Sequence, residues 1–244
     1  MKHIVITGAT RGIGYGLTQA FLDRDCAVMI SGRAQGSVDT AIEKLQSEFP
    51  ESKIHGHICD VREPGQVQAL WDRAVEVWGT VDIWINNAGT SGPEASLWDL
   101  PSGEAAAVIE TNILGTIYGC QVAIHGMLEQ GSGAIYNMEG MGSDGRMHNG
   151  LATYGTSKYA VNYLTRALAI ELKDRPIIIG SLRPGMIVTD LITDQYRDRP
   201  EEFERAKRIF NIIAERVETV TPWLAERMLT NTNSGAVLSF SSRW

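Results

Sequence analysis

The segment His3-Ile4-Val5-Ile6-Thr7-Gly8-Ala9-Thr10-Arg11-Gly12-Ile13-Gly14 decides the fold. Its first five residues, His3–Thr7, form a short apolar run of strand type. The run ends in glycines spaced Gly-x-x-x-Gly-x-Gly, and the chain then continues as a helix to about Leu22. Glycine lets a backbone turn sharply and approach a bound group closely. The helix N-terminus that follows offers unpaired N–H groups and the positive end of its dipole to an anion. The spacing is not G-x-G-x-x-G, and glycines also make ordinary strand-to-helix turns. Position gives this turn its weight, because it is the first of a long alternating series.

Outward from it, strand-like runs at Ala27–Ser31, Lys53–Cys59, Val81–Asn86, Gly133–Met138, Ile177–Leu182 and Gly235–Phe240 alternate with helical stretches at Thr40–Phe49, Gln66–Trp78, Gly103–Gln130, Thr153–Lys173 and Glu201–Val217. Strands separated by helices imply a parallel sheet covered on both faces. The expected fold class is α/β, a single-domain doubly wound Rossmann fold over residues 1–244 with a parallel sheet of about seven strands. Residues 186–217 are expected to form a substrate lid.

The 244 residues suit one large domain, and a formal charge of −7 argues against a nucleic-acid surface. Cys26, Cys59 and Cys120 are scattered and odd in number, which disfavours a disulfide framework or a zinc site. His55 and His57 lack further ligands, so no metal is expected. The N-terminus lacks the length and cleavage region of a signal peptide, and no run approaches the length of a membrane span. A cytoplasmic location is expected.

In a unit of this kind an acid at the end of the second strand accepts from the ribose 2′-hydroxyl of NAD. Here Gly32 takes that place, followed by Arg33, with Arg11 in the glycine turn. Two guanidiniums can clamp a 2′-phosphate, so NADP(H) is the expected cofactor. Asp60, before Val61, either accepts from the adenine amino group or caps a helix.

Tyr154 and Lys158 stand four residues apart on one helical face. A phenol ordinarily titrates near 10. A neighbouring ammonium lowers that value, which suits proton donation to a carbonyl oxygen. Tyr-x-x-x-Lys alone is a weak motif. Taken with the glycine turn, Asn86-Asn87-Ala88-Gly89, Asn112 and Pro184-Gly185…Thr189, it resembles the classical short-chain dehydrogenases/reductases across essentially the whole chain. The resemblance implies Tyr154 as general acid/base and Lys158 as its partner at the nicotinamide ribose. It implies Asn112 as holder of a relay water, Asn87-Ala88-Gly89 as lining for the cofactor site, and Thr189 as carboxamide ligand. Cofactor contacts are then expected from Gly8, Thr10, Arg11, Gly12, Ile13, Gly14, Arg33, Asp60, Val61, Asn87, Ala88, Gly89, Tyr154, Lys158, Pro184, Gly185, Ile187 and Thr189.

The pattern breaks after the fifth strand, where Gly140 stands in place of the family's serine. Losing one oxyanion donor costs roughly 10²–10³ in rate. Either Ser143 or a backbone N–H near Gly140–Gly142 is expected to supply the donor; Ser143 as a plain turn residue is the alternative. The run Asn137–Arg146 is also similar to the chlorophyll b reductase branch, which implies an aldehyde-to-alcohol reaction on a bulky apolar substrate. Trp98, Met141, Met147 and His148 are expected at the same sheet edge. The functional expectation is hydride transfer between NADP(H) and a carbonyl or alcohol substrate. The alternative is a dinucleotide-binding sensor or scaffold with little turnover. A homodimer or homotetramer is expected, with no nucleic-acid partner.

Overall fold

The computed structural model describes residues 1–187 and 215–240. Seven parallel strands lie side by side in the order β3-β2-β1-β4-β5-β6-β7. They are β1 His3–Ile6, β2 Ala27–Gly32, β3 Ile54–Ile58, β4 Ile83–Asn86, β5 Gly133–Met138, β6 Ile177–Arg183 and β7 Ala236–Ser239. The helices are α1 Gly12–Leu22, α2 Gln35–Glu48, α3 Pro64–Trp78, α4 Glu104–Ile109, α5 Gly115–Gln130, α6 Ala152–Glu171 and α7 Val217–Thr230, with a 3₁₀ turn at Leu97–Asp99. Chain order runs outward in one direction from β1 and in the other from β4. These two strands pair directly, Ile4 opposite Ile83 and Ile6 opposite Ile85. A crevice opens at such a switch point beyond the carboxyl ends of the strands.

The strands alternate across the sheet, and so does the core. Ile4 and Ile6 face Leu17, Phe21 and Leu224 on α1 and α7. Val5 faces the other way, with Trp71, Trp84 and Met127 on the side of α3, α5 and α6. All three cysteines are free and buried. The outer face of α6 leaves Tyr159, Tyr163 and Ile170 exposed.

Three expectations change. The helix Thr40–Phe49 begins earlier, at Gln35. Val217 starts α7 rather than ending a helix, and the rest of Glu201–Val217 lies largely outside the described residues. Glu104–Gln130 is, by length and composition, apolar enough to cross a bilayer, with a mean hydropathy of 1.2. In the structure one stripe of it, Thr116, Cys120, Ala123 and Met127, is buried, and 39% of the apolar window is buried in all. It is also not one regular helix. Residues Glu110–Leu114 wind as a π-turn between α4 and α5, a local irregularity often found at functional sites.

Candidate active site

The turns after β1 and β4 are stitched into one frame. The Thr7 hydroxyl accepts from the backbone N–H groups of Asn87 and Ala88 at 3.0 and 3.1 Å and donates to Ile85 O at 3.3 Å. The Asn87 amide donates to the carbonyls of Thr7 and Gly8, both at 2.9 Å. This contact dictates the glycine. Gly8 has φ +63°, and a Cβ there would lie 2.7 Å from Ala88 Cα. The frame borders a cleft of about 710 Å³. Gly8, Thr10, Arg11, Gly12, Ile13, Gly14, Arg33, Val61, Asn87, Ala88, Gly89, Tyr154, Lys158, Pro184, Gly185 and Ile187 all open onto it.

At the end of β2, Gly32 is packed by Thr10, whose Cγ2 would be 2.6 Å from a Cβ at this position. A carboxylate side chain therefore has no room there. Arg33 projects to the surface beside it, and Arg11 is likewise exposed. Asp60 neither lines the cleft nor caps α3, whose N-cap is Glu63. Its carboxylate is held by Arg62, with Nη2 at 2.6 Å and Nε at 3.0 and 3.1 Å. Hydrogen bonding from Arg62 first, and the charges of Arg62 and Arg33 behind it, keep the Asp60 carboxyl below its ordinary range. Arg62, which the sequence did not single out, lines the cleft.

Tyr154 and Lys158 lie at the first turns of α6, below the end of β5. The Lys158 ammonium is 5.8 Å from the Tyr154 ring centroid and donates to Met138 O at 3.0 Å. Burial pushes the Tyr154 phenol up to about 12. Desolvation therefore outweighs the lowering expected from the ammonium. Burial also brings Lys158 down to about 8, against the opposing pull of Glu139.

Asn112 sits in the π-turn, fully buried. Its Oδ1 accepts from Thr90 N–H at 2.9 Å, and its Nδ2 donates to Thr90 O at 2.8 Å and to Ser157 Oγ at 2.9 Å. The side chain thus clamps the chain after β4 to α6 and does not reach the cleft. Thr90 and Ser157 were not legible as its partners, since they are 22 and 45 residues away.

Gly140 is pressed against the Tyr154 phenol. A Cβ at Gly140 would stand 2.4 Å from Tyr154 Oη and 3.3 Å from Lys158 Cγ. Ser143 is buried, gives its N–H to Gly140 O at 3.0 Å and does not line the cleft. Between these loops Glu139 is wholly buried, accepting from Asn162 Nδ2 at 2.8 Å and from Arg183 Nε. Met141, His148 and Met186 line the cleft, whereas Trp98 and Met147 are exposed outside it. Thr189 and most of the expected lid lie outside the described residues. Where that segment leaves and returns, Ile187 pairs with Glu215, and Glu215 N–H donates to Met186 O at 2.8 Å.

Residues 2–200 match the short chain dehydrogenase family. The chain is 38% identical over 227 residues to a chloroplastic chlorophyll(ide) b reductase of Oryza sativa subsp. japonica, covering 91% of this chain and 65% of that protein. It is 35% identical over 191 residues to a 3alpha-hydroxysteroid dehydrogenase of Mediterraneibacter gnavus, covering 78% of this chain and 76% of that one. The solved structure of ElxO with NADP bound matches with a TM-score of 0.85 at 28% identity, covering 98% of this chain and 96% of the other. The chain thus spans just under two thirds of the length of the rice relative.

Proposed function

The chain belongs to the short-chain dehydrogenase family, and from that membership we propose that it is an NADP(H)-dependent carbonyl reductase for bulky apolar substrates. One observation carries the reading. The Tyr154 phenol, with Lys158 beside it, opens onto the same cleft as the glycine turn and Arg33.

The cleft's residues fit the dinucleotide. Ala88 packs against Gly8 so that no side chain fits at that point of the β1 turn, and the β2 end has guanidinium in place of carboxylate. Gly8, Gly12 and Gly14 would hold the pyrophosphate at the N-terminus of α1, and Arg33 and Arg11 the 2′-phosphate. ElxO, of the same fold, was solved with NADP. When bound, NADPH supplies the hydride that the carbonyl carbon receives.

The chain's own task is the proton. Tyr154 donates its phenolic hydrogen to the carbonyl oxygen, leaving the alcohol and a phenolate, and solvent returns the proton afterwards. A phenol held near 12 by burial is fully protonated at neutral pH and so ready as an acid. The Lys158 ammonium offsets the phenolate charge in a site of low dielectric. On the substrate side Met141, Leu151, Met186 and Ile187 share the cleft wall with Ser91, Glu94, His148 and Asn149, and Leu97, Leu100 and Val108 lie beside Tyr154. Similarity to a chlorophyll(ide) b reductase and a hydroxysteroid dehydrogenase supports a large fused-ring substrate. Gly140 favours a second reading, a dinucleotide-binding sensor with little turnover, because it carries no hydroxyl.

The test is NADPH oxidation with a panel of large aldehydes and ketones, with NADH in parallel. Turnover with NADPH, and a loss of about 10³ or more in Tyr154→Phe with nucleotide binding retained, is expected. Nucleotide binding without turnover on any carbonyl would leave the sensor reading in its place.

A further inference from the structure

Beside the catalytic pair lies a charged group that the proton transfer does not use. Glu139 follows β5 directly, and its side chain is 0% exposed. A carboxylate withdrawn from water is costly unless its oxygens are met by donors. One oxygen accepts from Asn162 Nδ2 at 2.8 Å and the other from Arg183 Nε. Asn162 stands one turn beyond Lys158 and two beyond Tyr154, so all three share a face of α6. The preceding residue, Met138, accepts from Lys158 Nζ at 3.0 Å. The end of β5 therefore grips α6 at two successive turns, at Lys158 through a carbonyl and at Asn162 through a carboxylate.

We infer that Glu139 is a positioning residue for the catalytic pair: clamped between Arg183 on β6 and Asn162 on α6, its carboxylate fixes the Lys158 ammonium against the end of β5 and thereby sets where Tyr154 stands. The inference rests on reading Tyr154 and Lys158 as that pair. A glutamine could fill the same space and make similar hydrogen bonds, so the charge is what distinguishes this role from plain packing. Burial drives Lys158 toward its neutral form, and Glu139 opposes that drive. Of the other charged or titratable groups on the elements packed here, α6 carries Tyr154 and, on its exposed face, Tyr159, Tyr163, Arg166 and Glu171; β6 carries Arg183 and β5 the buried Tyr136. Farther out, His148, Glu94 and Glu104 lie at the cleft mouth. Without the carboxylate the attraction of Glu139 is lost, which lowers the proton affinity of Lys158.

The experiment reads Lys158 directly. Wild type and Glu139→Gln are acetylated with acetic anhydride from pH 6 to 11. Lys158 labelling is quantified by mass spectrometry against the exposed Lys173. Only the neutral amine reacts, so the labelling midpoint follows the titration of Lys158. The midpoint is expected to fall by roughly one unit or more in Glu139→Gln, and the alkaline limb of NADPH-dependent reduction to fall with it. Identical midpoints in the two folded proteins would overturn the inference. Should Glu139→Gln not fold, Asn162→Ala carries the test, because it keeps the carboxylate but releases it from α6. A fall in kcat of about tenfold with an unchanged KM for NADPH then supports positioning, and a wild-type kcat overturns it. Labelling needs neither substrate nor cofactor. A shifted midpoint in a protein that reduces no carbonyl would therefore sink the functional reading and leave the positioning of Lys158 standing.

Discussion

Placing a serine at position 140 is expected to weaken the proposed carbonyl reduction, although a serine is what the family pattern puts there. In the usual arrangement the hydroxyl polarises the substrate carbonyl, and gaining such a donor is worth roughly 10²–10³ in rate. Here the geometry reverses the sign. A Cβ on Gly140 would sit 2.4 Å from Tyr154 Oη, whereas real Cβ contacts essentially never fall below 3.0 Å. The phenol or the loop must move by about 0.6 Å at the least, a displacement read from those two distances. Gly140 is not among the glycines with positive φ, so the backbone accepts a side chain and the whole cost falls on the contact. The moving atom is the far end of a side chain, so the fold survives at a cost of about 1–3 kcal/mol. Catalysis does not absorb the shift as easily, because a misplacement near 1 Å costs on the order of 10²-fold.

The assay is kcat/KM for carbonyl reduction in Gly140→Ser and Gly140→Ala, with NADPH binding and thermal unfolding as controls. Both variants are expected to fall by about 10²-fold, alanine as far as serine, since the methyl and not the hydroxyl causes the loss. A Gly140→Ser enzyme as fast as wild type, or faster, would refute the reasoning. It would mean that the loop yields freely and that the missing hydroxyl is a plain deficit.

Two further outcomes follow from the buried pair and from the frame beneath it. Lys158 is held at about 8 against an ordinary 10.5, so between those values the unfolded chain binds more protons and stability rises with pH. Relative to Lys158→Met, the ligand-free wild type should gain on the order of 3 kcal/mol from pH 8 to 10.5. Thermal unfolding across that range shows it, and parallel curves for the two proteins would contradict it. Asn87→Ala removes two donors from the carbonyls of Thr7 and Gly8. It should cost about 1–3 kcal/mol in urea unfolding and weaken NADPH binding; a change below about 0.5 kcal/mol would show that the turns hold without it.

The frame was legible in sequence because local signals carry it. β5 spans Gly133–Met138 as its apolar run suggests, and Tyr154 and Lys158 needed only helical spacing to share a face. What escaped was whatever depends on distant partners or on broken local rules. α7 was hidden by Pro222, which reads as a helix breaker. Pro222 is the sixth residue of α7 and removes one backbone donor from inside the helix, while its carbonyl accepts from Arg24. The π-turn at Glu110–Leu114 has no composition of its own. It is held in place by a pairing of Asn112 with Thr90 and Ser157 that no spacing rule reveals. α2 starts early at Gln35-Gly36-Ser37, a stretch that is polar and glycine-bearing, while Val38, Ala41 and Leu45 supply the buried stripe. The Glu139 clamp joins residues 23 and 44 positions apart.

These misses share a cause that bears on the chemistry. A proton donor aimed at a developing alkoxide works to the extent that its surroundings are already in place before the reaction. In this chain the placing is done by buried polar side chains that span elements. Asn87 ties β1 to β4, Asn112 ties the segment after β4 to α6, and Glu139 ties β5 to both α6 and β6. Among the described residues, the fully buried side-chain nitrogens and oxygens without a hydrogen-bond partner are the Ser31 and Ser52 hydroxyls. Gly140 fits the same logic. With no side chain there, the loop closes onto the phenol itself, so Tyr154 is confined by backbone where a hydroxyl would otherwise have stood beside it. The site trades one hydrogen-bond donor for a tighter hold on the remaining one. That trade favours catalysis only if the walls that hold Tyr154 are rigid, and those walls are what the three clamps provide.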